Sequence, residues 1–311
     1  MKKYMKRIVT GTLALLMAFV LVGCQSAPEK TPSEQSITIE HLKGTTTLNK
    51  EVKKAVVFDF GFLDTMKVMG IDTQLALPVA SLPDYLSEYK NAVNAGGIKE
   101  PDLEALYTFS PDVIIISGRQ SDYYDELNKI APTIYVEVNA ETYLEDVKKN
   151  TEIAAKIFNV EHAGEKAITD LEAQIEEAKA TIGSTDQKAL ILLTNDGNIS
   201  AYGAGSRFGL IHDLLGIPTA DPAITVSTHG QSVNYEYIAK INPDILYVVD
   251  RTQVVSGTTS ANATLDNELI RQTNAYQNNK IINLTPDYWY LSSGGLLSVS
   301  EMIKEAVAPF K

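Results

Sequence analysis

EALYTFSPDVIIISGR, Glu104 to Arg119, and EYIAKINPDILYVVDR, Glu236 to Arg251, are one pattern written twice without a gap. In each copy a glutamate stands seven residues before a proline, Asp follows the proline, an apolar run follows the Asp, and an arginine ends it. Val113 to Ile116 and Ile245 to Val249 contain no polar break, so each suits a strand covered on both faces, as in a parallel sheet flanked by helices. A shared unit of fold explains the Pro-Asp pair and the strand. It does not require Glu104 and Glu236 at one end and Arg119 and Arg251 at the other, so the four charges are candidates for a repeated functional use.

Working outward, strand and helix patterns alternate. Ala55 to Phe58 and Thr73 to Ala80 read as extended, and Phe62 to Met69 as helical. A short helix opens at Pro101-Asp102, Asp122 to Ala131 and Glu141 to Phe158 are helical, and Thr133 to Val138 is extended. From Val160 to Ile182 apolar residues recur at three- and four-residue steps, and Glu165 to Ile182 has neither Gly nor Pro: one long amphipathic helix. Strand–helix alternation then begins afresh at Lys188, with Ile199 to Tyr202, Ile245 to Val249 and Lys280 to Leu284 extended. Arg207 to Leu215, Tyr235 to Ile241 and Gly295 to Ala308 read as helical. The expected fold is α/β: two Rossmann-like lobes, 37–159 and 184–311, with mostly parallel sheets joined by one long α-helix over 160–183.

The N-terminus is set apart from this fold. Lys2, Lys3, Lys6 and Arg7 precede a short apolar core, Ile8 to Val22, the form of a secretory signal over 1–23 and too short for a membrane span. It runs into Leu21-Val22-Gly23-Cys24, and Cys24 is the single cysteine of the chain. One thiol cannot form an internal disulfide; at this place it resembles the cysteine of a bacterial lipobox, which is diacylated after cleavage just before it. Residues 24–36, rich in Ser, Pro, Glu, Lys and Thr, have the composition of a flexible tether. The chain of 311 residues carries a net charge of −12, and loss of the four basic residues of the signal leaves −16. That balance argues against nucleic acid as a partner, since phosphate contact needs a clustered positive surface.

Ligands of open α/β sheets bind beyond the carboxyl ends of the strands, where Arg119 and Arg251 fall. One arginine from each lobe, converging on a shared cleft, suits an anionic ligand. Arg207 joins them as a third candidate, in the glycine-containing Tyr202-Gly203-Ala204-Gly205-Ser206-Arg207-Phe208-Gly209 ahead of a helix. Of the four histidines, His229 lies in a polar loop, Ser227-Thr228-His229-Gly230-Gln231-Ser232, where its side chain is free for function; a single loop histidine is weak ground for a ligand. Tyr288, Trp289 and Tyr290 stand in a row on a loop after the last strand, a stacking wall or a source of phenol, with Trp289 assigned to packing. There is no G-x-S-x-G elbow and no convincing Ser–His–Asp set, so the chain does not read as an enzyme.

Taken together, the lipobox at Cys24, two α/β lobes, one spanning helix, Ser227-Thr228-His229-Gly230-Gln231-Ser232-Val233-Asn234-Tyr235-Glu236 and Trp289-Tyr290-Leu291-Ser292-Ser293-Gly294-Gly295 resemble the siderophore-binding lipoproteins of bacterial ABC importers. These are class III periplasmic binding proteins, and within them the chain most resembles the catecholate binders of the petrobactin-binding type. The resemblance implies a rigid two-lobed receptor, lipid-anchored and monomeric on the extracytoplasmic face of the cell membrane, with no permanently bound cofactor. Its cargo is a ferric siderophore and its partners are the permease and ATPase subunits. Cleft arginines then fall on Arg119, Arg207 and Arg251, and permease-docking glutamates on Glu104 and Glu236. His229 and Tyr290 fall where some members complete the coordination of Fe(III) in tetradentate complexes. Tyr288 is a second phenol two residues away, separated from Tyr290 only by place in Trp-Tyr-Leu. A haem- or corrinoid-binding protein of the same class is the alternative, and would show a wide apolar slot without three converging arginines; an extracytoplasmic esterase is a third reading.

Overall fold

The computed structural model describes residues 36–48, 51–258 and 261–311. The signal segment, Cys24 and all of the tether but Ser36 lie outside the described residues.

The two apolar runs of the repeat occupy equivalent places. β3 (Lys54–Val57), β4 (Gln74–Leu77), β5 (Val93–Asn94), β6 (Val113–Ile116) and β7 (Thr133–Tyr135) form a wholly parallel sheet in the order β5-β4-β3-β6-β7. Every residue of β6 is buried, which is why the run tolerates no polar alternation. The second sheet has the order β10-β9-β8-β11-β12, from β8 (Ala189–Asn195), β9 (Asn198–Tyr202), β10 (Gln231–Val233), β11 (Ile245–Asp250) and β12 (Ile281–Leu284). Its β8, β11 and β12 are parallel, and all six residues of β11 are buried. A short hairpin, β1 (Ile37–His41) and β2 (Gly44–Leu48), is tied to the first sheet where the Thr46 hydroxyl donates to the Thr133 carbonyl.

The second sheet departs from a fresh strand–helix alternation. β9 runs antiparallel to β8, and β10 antiparallel to β9. The cause is local: Asp196 and Gly197 both take positive φ, 48° and 80°, the backbone of a tight two-residue hairpin. An Asp-Gly pair between two extended runs is the signal for such a turn.

The helices are α1 (Phe60–Val68), α2 (Leu103–Phe109), α3 (Tyr124–Ile130), α4 (Tyr143–Phe158), α5 (Glu161–Ile182), α6 (Tyr235–Ile241), α7 (Arg251–Ser256), three short turns α8 (Ala261–Leu265), α9 (Glu268–Arg271) and α10 (Asn274–Gln277), and α11 (Leu296–Val307). α5 links the two sheets and buries Gly164, Leu171, Ile175, Ala178 and Ile182. Gly164 is required there, because a Cβ would approach the Ala155 Cβ of α4 to 2.8 Å. The last helix does not stay with the second sheet alone: α11 packs on both α1 and α5.

The repeat has a structural reason at each conserved step. α2 and α6 both begin with a side-chain cap, Asp102 accepting from the Ala105 N–H and Asn234 from the Tyr237 N–H. Both end in a left-handed residue, Ser110 and Asn242, immediately before the proline. The Asp after each proline then fastens the start of the neighbouring strand. Asp112 Oδ2 accepts from the N–H groups of Lys53 and Lys54 at 2.8 and 2.9 Å, and Asp244 Oδ2 from Lys188 at 3.0 Å. Pro-Asp is thus a device of the fold, and it aligns the two strands that deliver the arginines.

Candidate functional site

Arg119 follows β6 in a 3-10 turn, Gly118–Tyr123, and Arg251 is the first residue of α7 directly after β11. β6 and β11 lie beside the central strands β3 and β8 of their sheets, so both arginines leave the carboxyl ends of interior strands. Arg207 comes from the loop after β9, ahead of a π-helical turn at Leu210–Leu214 rather than a regular helix over 207–215. A second π-helical turn, Asp287–Ser292, replaces the loop expected around Tyr288 to Tyr290. Such widened turns concentrate at functional sites because they re-aim side chains.

The three arginines meet at Tyr290. Arg119 Nη2 donates to the Tyr290 carbonyl at 2.9 Å, and Arg207 Nη2 donates to the same oxygen at 3.2 Å. Arg251 Nε donates to the Tyr290 hydroxyl at 2.8 Å, while its Nη1 donates to Asn195 Oδ1 at 2.6 Å. The Arg207 guanidinium lies 4.6 Å from the centre of the Tyr290 ring. Three cations on one residue perturb one another. Burial pulls the Arg207 guanidinium below its ordinary pKa, and the Arg119 charge acts in the same direction against the stabilising Tyr290. Burial alone would raise the Tyr290 phenol, but the Arg251 hydrogen bond and the charges of Arg251, Arg207 and Arg119 outweigh it and hold the phenol below the usual tyrosine range. The site is built to stabilise negative oxygen.

Beside it opens a cleft of about 490 Å³, to which Arg119, Arg207, Asp59, Glu137, Tyr143 and Ser292 contribute. It is polar at its arginine end and does not have the form asked of a haem or corrinoid slot, which lacks converging arginines. Two of its lining residues, Ser292 and Ser293, are held by hydrogen bonds. Tyr143 donates to the Ser293 carbonyl at 2.8 Å, and the Tyr85 hydroxyl lies 2.7 Å from Ser292 Oγ and 3.0 Å from Asp64 Oδ2. Asp64, fully buried in α1, accepts from the Leu297 and Ser298 N–H groups and so caps α11. Burial pushes its carboxyl up to about 7 despite the hydrogen bonds from Ser298, Tyr85 and Leu297.

The remaining candidates are placed apart. His229 is exposed in the 221–230 segment and makes no hydrogen bond among the described residues, although its neighbours Ser227 and Thr228 line the cleft. Tyr288 packs its ring 4.8 Å from that of Tyr85, away from the arginines, so the structure separates the two phenols that sequence position could barely distinguish. Trp289 is fully buried and donates to Glu305 at 2.7 Å, a packing role. Glu104 and Glu236 occupy equivalent, exposed places in the first turns of α2 and α6, where a carboxylate also favours the helix dipole. Asn195, which holds Arg251, went unnoticed in the sequence: a lone Asn before a turn carries no signal. Among the described residues no group of three or more His, Cys, Asp or Glu is placed to hold a metal ion.

Comparison with known proteins agrees with this architecture. Residues 60–288 match the family described as periplasmic binding protein. The chain is 43% identical to the petrobactin-binding protein YclQ of Bacillus subtilis, over 97% of this chain and 98% of that one. It is 30% identical to the ferric-anguibactin-binding protein FatB of Vibrio anguillarum, over 97% and 99%. The crystal structure of YclQ superposes with a TM-score of 0.86 at 42% identity, covering 89% of this chain and 99% of that one. The periplasmic catecholate-siderophore binding protein VctP of Vibrio cholerae superposes with a TM-score of 0.81 at 34% identity, covering 88% and 100%. Fold, repeat and sequence lead to one assignment: the chain belongs to the periplasmic binding protein family.

Proposed function

We propose that this protein is the substrate-binding component of an ABC importer and captures a ferric catecholate siderophore of the petrobactin-like type. The observation that carries the reading is the convergence of Arg119, Arg207 and Arg251 on Tyr290. The Tyr290 carbonyl and hydroxyl accept from the guanidiniums; an incoming catecholate complex supplies more oxygens, with full negative charge. Arginine suits this work because its planar fork matches paired oxygens and dehydrates more readily than an ammonium. The names of YclQ and VctP support the catecholate class.

Lobes 37–159 and 184–311, joined over 160–183, form the two walls of the site in this reading. A hexadentate ferric complex needs no protein ligand and is held by the arginines. A tetradentate one leaves two iron positions open, which Tyr290 phenolate and His229 imidazole complete, with the 221–230 segment bringing His229 inward. Glu104 and Glu236 dock the two halves onto basic residues of the permease, and Cys24 carries the lipid that keeps the monomeric receptor at the extracytoplasmic face of the cell membrane. Related lipoproteins, YhfQ and YfiY of Bacillus subtilis, support the anchor. No helix among the described residues is long and apolar enough to cross a membrane.

The test is a titration with ferric petrobactin and a ferric tris-catecholate, followed by quenching of the single tryptophan, Trp289, which adjoins Tyr290. Saturable quenching with micromolar or tighter affinity is expected. Absence of both quenching and a ligand-induced shift in Tm across ferric siderophores would refute the reading.

A further inference from the structure

A line of side-chain oxygens runs from the wall of the cleft to a buried acid. Ser292 lines the cleft, the Tyr85 hydroxyl lies 2.7 Å from Ser292 Oγ, and Asp64 Oδ2 lies 3.0 Å from that hydroxyl. Tyr85, from the 3-10 turn Asp84–Tyr89, is the one hydrogen-bond partner of Ser292 Oγ among the described residues. Asp64 is fully buried, and no lysine, arginine or histidine pairs with it among them. Backbone packs on backbone around the line. A Cβ on Gly61 would come within 2.6 Å of the Ser292 carbonyl oxygen, and one on Gly295 would overlap the Asp64 carboxylate. With the oxygens held this closely, the freedom left to the line is where its protons sit.

The phenol has one proton and two neighbouring oxygens, so the line has two polarities. With Asp64 ionised, the carboxylate only accepts. Tyr85 donates to it, Ser292 donates to Tyr85, and the serine turns a lone pair to the cleft. With Asp64 protonated, the acid donates to Tyr85, Tyr85 donates to Ser292 Oγ, and the serine O–H is released to the cleft. The two states differ by one proton from cleft water. It bonds to Ser292 Oγ while the serine proton passes to Tyr85 and the phenol proton to Asp64, where the new O–H bond ends. Ser298 Oγ, also beside the acid, is engaged with the Gly295 N–H and carbonyl. The ionisable groups facing Asp64 are phenols: burial and then its charge raise Tyr85 and Tyr143 of α4, and Tyr288 feels it after burial, Glu301, Glu305 and Asp287. Burial lifts the Asp64 carboxyl to about 7 against its hydrogen bonds, so both states are populated near neutrality.

We infer that Asp64 is a positioning residue for the cleft: acting through Tyr85, it sets whether Ser292 offers an incoming ligand a hydrogen-bond donor or an acceptor. An anionic oxygen requires the donor, so capture of a ferric catecholate draws a proton onto Asp64, and affinity falls as pH rises. The inference rests on the siderophore-receptor reading and adds a proton to its binding equilibrium.

Calorimetric titration of the full chain with a ferric tris-catecholate, in buffers of different ionisation enthalpy, counts the protons taken up on binding. A tenfold preference for the protonated state, the low end for a hydrogen bond to a charged group, gives uptake of about half a proton near pH 7.5 and affinity about fivefold weaker at about pH 8.5 than at about pH 6.5. Ser292→Ala and Tyr85→Phe should each cut the uptake below about a tenth of a proton, while the stability–pH slope due to Asp64 survives in Ser292→Ala. Asp64→Asn, whose amide can donate to Tyr85 as the protonated acid does, should bind independently of pH, with the affinity of the unaltered protein at about pH 6.5. Absence of proton uptake by the unaltered protein overturns the inference and leaves the receptor reading standing. So does uptake that survives Ser292→Ala, or a pH dependence kept by Asp64→Asn, since the proton then sits elsewhere. Failure of both the ferric tris-catecholate and ferric petrobactin to bind at any pH overturns the receptor reading and this inference with it.

Discussion

Arg207→Ala should weaken ligand binding sharply while leaving the ligand-free protein about as stable as before. Arg119 Nη2 and Arg207 Nη2 donate to one carbonyl oxygen at 2.9 and 3.2 Å, so the two nitrogens lie within about 6 Å of each other. Two unit charges at that separation repel by about 3 kcal/mol at an effective dielectric near 20. Truncation relieves this repulsion. It also removes one charged hydrogen bond, worth about 1.5–3 kcal/mol, and the contact of the guanidinium with the Tyr290 ring at 4.6 Å, worth about 0.5–1 kcal/mol at a partly exposed site. The terms nearly cancel, and the unfolding free energy should change by no more than about 1 kcal/mol. With a trianionic ligand bound there is no such cancellation. One guanidinium fork is lost from the complex, at a cost of about 1.5–3 kcal/mol, or roughly 10- to 150-fold in Kd. Urea unfolding of the ligand-free variant and fluorescence titration with a ferric tris-catecholate measure the two sides separately, and Arg207→Lys, which keeps the charge without the fork, should fall between. A large loss of stability with unchanged affinity would refute the reasoning, since the arginine would then be holding the fold and not the ligand.

Other consequences are separable. Tyr290→Phe keeps the carbonyl that Arg119 and Arg207 use but removes the acceptor of Arg251 Nε, so a hexadentate ferric complex should bind within about threefold of normal, whereas a tetradentate one should lose at least about tenfold together with its phenolate-to-iron absorption. Equal losses for both would show that the phenol serves the arginine alone. Asp64, raised to about 7 in the folded protein from about 3.9 when unfolded, holds its proton more tightly when folded; its contribution is complete below pH 4 and is lost as pH rises through 7, a fall of up to about 4 kcal/mol. Asp64→Asn should flatten that part of the stability–pH curve measured by denaturant unfolding, and an unchanged slope would contradict the assignment. Glu104→Ala with Glu236→Ala should abolish siderophore-dependent iron uptake in cells and leave ligand affinity within about twofold; retained uptake would remove both residues from the docking surface.

The unbroken apolar runs at 113–116 and 245–249 required strands covered on both faces, and the Gly- and Pro-free stretch ending at Ile182 required a helix. Those features are local: period, length and the absence of breakers act within a few residues, so composition and order specify them. The repeat also placed Arg119 and Arg251 at strand ends, because register within one strand is counted along the chain. What long-range packing decided was where those ends point. Tyr290 is selected over Tyr288 by a π-helical turn, which leaves one phenol on Arg251 and the other on Tyr85, a choice with no local signature in two tyrosines separated by one residue. Asn195 reaches Arg251 across adjacent strands, and Asp64 caps a helix more than two hundred residues away. Contacts between distant segments depend on how sheets and helices stack, and the sequence lists the residues for them without stating which will meet. The cleft follows the same division: its arginines were legible one by one, while their convergence on a single tyrosine exists only once the segments that carry them, more than eighty residues apart along the chain, are brought together.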